Sequence, residues 1–240
     1  MRPSPVLAIA RRELGGYFGS PIAYVVLAAT AAYSAVSFLP GFTAGSPASL
    51  RTVCSDVAWL ALLVAPALSM RLISEELRSG TFERLAATPV RSGQIVVGKW
   101  LAASVCYAGV LIGPVAAAVA LEAHAAPEWG PMIAGMLAVL LAGWLYLAAG
   151  TFASALSRNQ VIALLLAVFA IGAPTLALHA LADAQWLGGP ARRLVARLSV
   201  ADQLAELQRG VLDLRTPLFF ASTTALFLFL ATLVVEGRRR

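Results

Sequence analysis

Six long apolar stretches, separated by shorter polar segments, run along the 240 residues of the chain. About 20 helical residues at 1.5 Å each cover the ~30 Å hydrocarbon core of a bilayer, so each stretch predicts a transmembrane helix. The predicted spans are Pro21–Pro40, Val57–Met70 with an outer extension from Thr52, Trp100–Leu121, Trp129–Leu156, Val161–Leu181 and Pro217–Val235. The pattern therefore predicts an all-α integral membrane protein with six spans.

Composition agrees with this interpretation. Hydrophobic residues make up 60% of the chain and charged residues only 12%, against about 25% charged in soluble domains. The net charge of +6 raises the question of nucleic-acid binding, but the basic residues form no patch interleaved with aromatic residues. We therefore expect a bilayer around the chain and no nucleic-acid partner.

The basic residues are unevenly distributed between the segments that join the spans. An even number of spans places both termini on one side, and twelve of the 18 basic residues lie on that side. Because cytoplasmic loops carry an excess of Lys and Arg, this side is predicted to be cytoplasmic. The outer side keeps Arg51 and five arginines between spans five and six, an exception to the rule that nearby acidic residues only partly offset.

Two segments outside the spans have amphipathic patterns. Residues 5–18 place Leu7, Ala10, Leu14 and Tyr17 on one helical stripe, which predicts a helix in the membrane interface. A disordered N-terminus is the alternative, and a cleaved signal peptide is disfavoured because the following apolar run exceeds the usual 7–15 residues. Domain boundaries are therefore set at residues 1–20 and 21–240.

The second amphipathic segment is the outer one, residues 183–216. Its part from Ala191 to Arg215 predicts two short amphipathic helices, with Gly210 as a flexible point. The apolar positions are Leu194, Val195 and Leu198 in the first helix and Leu204, Leu207, Val211 and Leu214 in the second. One interpretation is an amphipathic hairpin that rests on the membrane surface.

The one long charged segment in the first 180 residues runs from Arg71 to Lys99. Gly80 is predicted to break the helix that leaves the membrane, Thr81 to cap a short second helix, and Pro89 to stop it. Such a helix would expose Phe82 beside Leu85, as a docking element for a soluble partner requires. A solvated loop that only connects two spans is the alternative.

Several motifs in this order resemble ABC-2 type transporter permeases. The cytoplasmic segment Glu-Glu-Leu-Arg-Ser-Gly-Thr-Phe-Glu-Arg-Leu begins at Glu75, with Thr-Pro-Val at Thr88 and Gly-Lys at Gly98 following it. The N-terminal run from Arg11 to Tyr24 and the run from Arg209 to Arg215 resemble the gliding-motility, GldF-like branch. The likeness extends over nearly the whole chain.

This resemblance implies a function and a set of site residues. The chain would be the membrane subunit of an ABC exporter in a bacterial cytoplasmic (inner) membrane. It would pair with a second identical or different permease subunit and two copies of a separate ATPase that binds ATP and Mg. An auxiliary protein with a large extracytoplasmic domain is a further expected partner. The implied ATPase-coupling residues are Glu75, Glu76, Arg78, Gly80, Thr81, Phe82, Glu83, Arg84 and Leu85.

The resemblance assigns roles to two further groups. Arg11, Arg12 and Glu13 would belong to the interfacial helix. The outer segment would partly line or cap the outer end of the translocation route, with Leu204, Leu207, Gly210 and Val211 as the gate region.

Catalytic and metal-binding patterns are missing from the sequence. There is no Gly-x-x-x-x-Gly-Lys-Ser/Thr loop to cradle a nucleotide, so the chain itself is expected to bind no cofactor. His124 and His179 are far apart in sequence, and neither belongs to a metal-binding motif. Cys54 and Cys106 are predicted at different membrane depths and hence unpaired. The sequence predicts a subunit without catalytic or metal-binding residues.

Helix packing and conformational change leave some alternatives open. Gly150 and Ser154 predict close approach of neighbouring helices. Pro66, Pro114 and Pro174 predict kinks that serve packing or movement. Since no charged residue lies in the middle of a predicted span, an ion-coupled carrier is disfavoured. The functional alternatives are a membrane scaffold for an ATPase-driven machine and an intramembrane enzyme.

Overall fold

A computed structural model of the protein describes residues 4–41, 49–83, 90–124, 129–183, 188–210 and 213–239. Within these ranges the chain forms α-helices, short 3-10 turns and connecting loops, with no strand. The α-helices are α1 Pro5–Phe18, α2 Pro21–Phe38, α3 Arg51–Ser69, α4 Ser74–Ser79, α5 Ser92–Ala108, α6 Ile112–Glu122, α7 Trp129–Leu156, α8 Gln160–Asp183, α9 Gly189–Leu198, α10 Val200–Gln208 and α11 Arg215–Gly237.

The six predicted spans are confirmed as six helical segments long and apolar enough to cross a membrane. Their limits are Pro21–Phe38, Arg51–Ser79, Ser92–Glu122, Trp129–Leu156, Gln160–Ala182 and Arg215–Gly237. Two boundaries differ from the sequence prediction. The second segment continues past Met70 through a turn into α4, and the third begins at Ser92 rather than Trp100, so Lys99 lies inside its helix.

The third span is built from two helices because a proline interrupts it. A 3-10 turn, Gly109–Leu111, separates α5 from α6, and Pro114 follows in the first turn of α6. Proline has no N–H to bond the carbonyl four residues earlier, and its ring crowds that carbonyl, so the regular α-helical pattern is lost there. Pro66 and Pro174, in contrast, lie inside α3 and α8, which are α-helical throughout.

Helix α7 is the centre of the bundle and packs against α3, α5, α8, α10 and α11. Its sequence is rich in alanine and glycine, which allow neighbouring helices to approach closely in a membrane. A Cβ on Gly143 would overlap the Tyr107 ring, and a Cβ on Gly150 would overlap the Ser69 hydroxyl. The close approach predicted at Gly150 is therefore confirmed.

Both ends of the described chain lie at one end of the bundle, called here the basal end. Arg12 of α1 contacts Glu76 of α4. Arg239, after α11, donates to the Val90 carbonyl oxygen at 2.7 Å, and Arg238 donates to the Leu156 carbonyl oxygen at 2.9 Å. The segments predicted to be cytoplasmic thus meet at one end, and the cytoplasmic location of that end stays a prediction. The opposite end, which carries α9 and α10, is called the outer end.

The predicted N-terminal helix is present as α1. Ser4 caps it by accepting a hydrogen bond from the Leu7 N–H, and Pro5 occupies its first turn. Ala10 and Tyr17, two members of the predicted apolar stripe, are buried, and α1 packs along α5. Its location in a membrane interface stays a prediction.

Candidate functional site

Helix α4 is the part of the predicted coupling segment that the structure describes best. It ends at Gly80, whose φ of +69° is in the left-handed region that favours glycine. The predicted helix break at Gly80 is therefore confirmed. Glu75, Arg78 and Glu83 are exposed. Arg84 and Leu85, and the predicted stop at Pro89, lie outside the described residues.

The predicted display of Phe82 is wrong. Its side chain is only 6% exposed and belongs to the main apolar cluster of the bundle. An aromatic side chain of this size gains more from burial than from exposure to water, so it packs inward beside the turn that follows Gly80. Of the coupling residues that the structure describes, the exposed charged ones form the surface that a partner can reach.

Lys99 forms an ion network that joins three elements at the basal end. Its Nζ lies 2.8 Å from Glu76 Oε1 on α4 and 3.0 Å from Glu13 Oε1 on α1. The Lys99 side chain is only 1% exposed. Arg12 Nη2 also contacts these two carboxylates, at 2.9 Å from Glu13 and 3.3 Å from Glu76. Two cations therefore face two carboxylates, and the network is neutral.

The network changes the pKa values of Glu13 and Arg12. Burial alone would raise the pKa of Glu13, but the Lys99 charge and hydrogen bonds from Arg12 and Lys99 outweigh it, and the pKa is lowered. A hydrogen bond to Glu13 raises the pKa of Arg12, against the opposing effect of burial. Both groups are therefore held in their charged forms at neutral pH.

Close packing around Gly98 positions this network. A Cβ on Gly98 would lie 3.0 Å from both the Ile9 Cβ and the Val6 carbonyl oxygen, so only glycine lets α1 lie so close to α5. Because Gly98 precedes Lys99, the same close approach brings Glu13 within reach of the lysine. Gly98 thus allows α1 to approach α5, and Lys99 supplies the positive charge that pairs with Glu13.

A second connection ties the turn before α4 to the central helix. The Ser154 hydroxyl of α7 accepts hydrogen bonds from the N–H groups of Ile73 at 3.0 Å and Ser74 at 2.9 Å. It donates to the Met70 carbonyl oxygen at 2.8 Å. Met70 and Ile73 lie in the turn between α3 and α4, where regular helical bonds are interrupted, and Ser74 is the first residue of α4. One buried serine therefore fixes the direction in which α4 leaves the span.

Tyr17 provides a third connection at the basal end. Its hydroxyl donates to the Leu68 carbonyl oxygen of α3 at 2.7 Å. The Arg71 guanidinium lies 4.8 Å from the centre of the Tyr17 ring, a cation–π distance, and donates to the Ser20 hydroxyl at 2.9 Å. Burial raises the pKa of the Tyr17 phenol, which stays protonated and able to donate. Helix α1 is thus held to both α3 and α5.

At the outer end, α10 closes a cavity of about 190 Å³. Of the predicted gate residues, Leu204 lines this cavity, and Leu207 is fully buried. Gly210 has a φ of +82°, which confirms a glycine-dependent turn. Val211 lies outside the described residues. Leu214, predicted on the apolar stripe of the second short helix, lies beyond the end of α10 at Gln208, and its side chain is 87% exposed just before α11.

The outer cavity contains polar groups with incomplete hydrogen bonding. His179 Nδ1 lies 3.3 Å from Asp202 Oδ1, close enough for an ion pair when the histidine is protonated. Among the described residues, however, neither His179 Nδ1 nor Asp202 Oδ2 has a hydrogen bond. The cavity is also lined by Tyr146, Thr175 and Gln208. Water or a polar ligand could satisfy groups of this kind.

Sequence reasoning missed the network around Lys99, although it had singled out each member separately. Glu13 and Arg12 were assigned to the N-terminal helix and Glu76 to the coupling segment. Lys99 was placed at the edge of a predicted span. The available signal was the lone lysine among 18 basic residues, placed after a glycine at the start of an apolar run. In the part of the chain that is described, no group of three or more metal-binding side chains occurs. Cys54 and Cys106 are buried and unpaired, as predicted.

Six long apolar helices, one of them the buried central helix α7, define the class of the protein, a multi-pass α-helical membrane protein. A family model described as ABC-2 family transporter protein matches residues 43–182. This match covers more than half of the chain, which therefore belongs to the ABC-2 transporter family. Its members are permease subunits of ABC transporters and act in the membrane together with an ABC ATPase. A search of curated proteins found no match to the chain.

Proposed function

We propose that this chain is the permease subunit of an ATP-driven exporter, in which a separate ATPase subunit acts on the α4 segment. The observation that carries the proposal is the join between α4 and the bundle. Lys99 ties α4 to α1 and α5, and Ser154 ties the preceding turn to α7. A force applied to α4 would reach three spans without passing through a flexible linker.

The charged residues on the exposed side of this segment are suited to docking. Glu75 and Arg78 are exposed at the basal end of the second apolar segment, and Glu83 is exposed just after it. Charges of both signs at a rim favour recognition of one orientation of a partner. We infer that they contact the ATPase, while Phe82 supports the segment from within.

The complete transporter would contain two permease subunits and two ATPase subunits, with ATP and Mg bound by the ATPases. Closure of the ATPases around ATP would move each permease as a rigid body. The translocation route would lie between the permeases in a bacterial inner membrane. Leu204, Leu207 and Gly210 would act at its outer end, and the cavity beneath α10 supports this part of the proposal. An auxiliary subunit with a large extracytoplasmic domain would complete the GldF-like arrangement.

Charge reversal at exposed positions tests the docking surface. Arg78→Glu and Glu83→Lys should each weaken association with the ATPase by about tenfold or more, because like charges then face each other across the interface. Arg158→Glu is the matched control, since Arg158 is also exposed in a segment predicted to be cytoplasmic. Association is measured by co-purification from membranes, with insertion verified for each variant. Equal loss in the control, or no loss at Arg78 and Glu83, would reject this surface.

Phe82→Ala tests whether Phe82 stabilises the coupling segment from within, rather than contacting the ATPase directly. Since Phe82 is buried, its truncation leaves a cavity and should lower stability by about 3 kcal/mol. Weaker ATPase binding should appear only together with this loss of stability. Weaker binding at unchanged stability would show that Phe82 contacts the ATPase itself.

Transport is separated from a purely mechanical role by sealed vesicles that contain both subunits. ATP should change the distribution of a transported solute across the vesicle membrane. A scaffold would hydrolyse ATP and change no solute gradient. Candidate solutes are best chosen from the products of genes adjacent to this one.

A further inference from the structure

The outer end carries an arginine-rich hollow that neither the coupling segment nor the cavity beneath α10 accounts for. Arg193 and Arg197 of α9 and Arg215 of α11 line this open hollow of about 600 Å³, together with Glu206 and Asp213. At about 30 Å³ per water molecule, it has room for roughly twenty waters. Three cations and two carboxylates leave a net charge of +1, which one phosphodiester would neutralise.

The arginines are largely free to bind a ligand. Arg193 Nε donates only a long bond of 3.3 Å to the Gly189 carbonyl oxygen of its own helix. The Arg215 Nε lies 3.8 Å from Asp213 Oδ2. No ion pair involves the Arg197 guanidinium within the described residues. A phosphate oxygen would find guanidinium donors that no strong internal contact occupies.

The position of the hollow relative to the bundle points to the membrane surface. Arg215 is the first residue of α11, the sixth membrane-spanning helix. A span of 23 residues is about 35 Å long at 1.5 Å per residue, slightly more than the ~30 Å hydrocarbon core. The first residue of such a helix therefore lies at the level of the lipid headgroups.

Exposed leucines directly adjoin the arginines of the hollow in the sequence. Leu194 and Leu198 of α9 are 61% and 50% exposed, and Leu214 beside Arg215 is 87% exposed. Arg193 and Arg197 are four residues apart on α9, and each directly precedes one of these leucines, so a basic stripe adjoins an apolar stripe. A basic and apolar helix without a buried residue is typical of helices that lie on anionic membranes.

We propose that this hollow is a binding site for the phosphate headgroup of an anionic phospholipid, with the neighbouring leucines in contact with its acyl chains. The occupant is a membrane lipid rather than free phosphate, because the leucines gain nothing from an inorganic ion. The site also accounts for three of the five arginines between spans five and six, on the side that the positive-inside rule predicts to be poor in them. It goes beyond the proposed coupling role and does not depend on it.

The test uses the full chain in a neutral detergent and follows lipid binding by native mass spectrometry. Short-chain phosphatidylglycerol should bind at least about tenfold more tightly than short-chain phosphatidylcholine. Arg193→Gln combined with Arg197→Gln should weaken phosphatidylglycerol binding by about tenfold or more, because it removes the charge-assisted hydrogen bonds to the phosphate. The double change to lysine keeps the charge and should retain most of the binding.

The matched control replaces two exposed arginines that do not line the hollow, Arg192 and Arg209, by glutamine. It should weaken binding by less than about threefold, because general charge contributes little next to a defined site. Equal loss in the control would overturn the proposal. So would competition by millimolar inorganic phosphate, which would indicate an anion site. A surface that serves a protein partner would show no preference for phosphatidylglycerol over phosphatidylcholine, and that result would also overturn it.

Discussion

At the basal end, the Lys99 ammonium contacts two carboxylates within 3.0 Å, and Ser154 bonds three backbone groups of the turn before α4. At the outer end, a cavity of about 190 Å³ contains His179, and atoms of His179 and Asp202 lack hydrogen bonds among the described residues. Space alone does not distinguish the ends, because a hollow of about 210 Å³ lined by Glu13, Tyr17 and Arg71 lies at the basal end, and Glu76 Oε2 there also lacks a hydrogen bond among the described residues. The difference is that short ion pairs and hydrogen bonds join the basal elements, whereas the outer pair of His179 and Asp202 lies at 3.3 Å. A segment that transmits force from an ATPase needs rigid connections such as those at the basal end. A translocation route that opens needs weaker contacts such as those at the outer end.

The largest expected effect comes from breaking the basal network. Lys99→Met leaves two partly buried carboxylates facing each other without their main cation, which should lower the free energy of unfolding by about 3–5 kcal/mol. Denaturant unfolding in detergent measures the change. Restoring neutrality with Glu76→Gln in the Lys99→Met background, which leaves Arg12 opposite Glu13, should recover most of the loss. If Lys99→Met alone lowers the free energy of unfolding by less than about 1 kcal/mol, the basal network is no stronger than an exposed ion pair, and the contrast between the two ends is wrong.

Packing gives the next largest difference between the ends. Gly150→Ala places a methyl group against Ser69 and should cost about 1–3 kcal/mol. Ala205→Met adds a larger, flexible side chain at the cavity beneath α10 and should cost less than about 1 kcal/mol, since the cavity has room for it. Gly172→Ala is the helical control, because its Cβ would meet the nearest atom at an ordinary 3.5 Å. Similar costs at Gly150 and Ala205 would contradict the contrast in packing.

A smaller effect is expected from the outer pair. Asp202→Asn removes the charge beside His179, and both side chains are partly exposed, at 28% and 43%. Such pairs contribute about 0–1 kcal/mol, so the free energy of unfolding should change by less than about 1 kcal/mol. Thermal unfolding at neutral pH measures it. A loss as large as that of Lys99→Met would place a second rigid network at the outer end.

Lowering the pH should decrease the free energy of unfolding through the network at the basal end. The pKa of Glu13 is lower in the folded protein than the usual value of about 4.3. The unfolded chain therefore binds the proton more tightly, and protonation of Glu13 favours unfolding. The stabilisation is complete above about pH 5 and decreases as the pH falls through the lowered folded pKa. Comparison with Glu13→Gln, across unfolding curves from pH 7 to pH 3, isolates this contribution. The variant should show the shallower decline, and identical declines would contradict the assignment.

The spans were predictable because each depends on its own run of apolar residues. The basal network was not, because Glu13 and Lys99 are 86 residues apart and meet only when α1 packs on α5. The same limitation explains Phe82, whose burial depends on neighbours that the local pattern does not reveal. Leu214 was assigned to the second short helix by its spacing from Leu204 and Leu207, but α10 ends at Gln208, before that position.

Turns were more predictable than contacts. Gly80 and Gly210 both adopt positive φ, a conformation that glycine permits and other residues rarely adopt. The end of the second span, in contrast, depends on Ser154, a residue more than 80 positions further along the chain. Nothing in the local sequence near Met70 indicates that partner.

The central claim is that α4 and the spans move as one body, and distances between spin labels test it most directly. Cysteines at the exposed positions Arg78 and Arg158, in a chain without Cys54 and Cys106, would carry the labels. On addition of ATP to the assembled transporter, the distance within one subunit should change by less than about 2 Å, while the distance between the two Arg78 positions changes by more. A large change between Arg78 and Arg158 of the same subunit would show that α4 moves independently, and the account would be wrong.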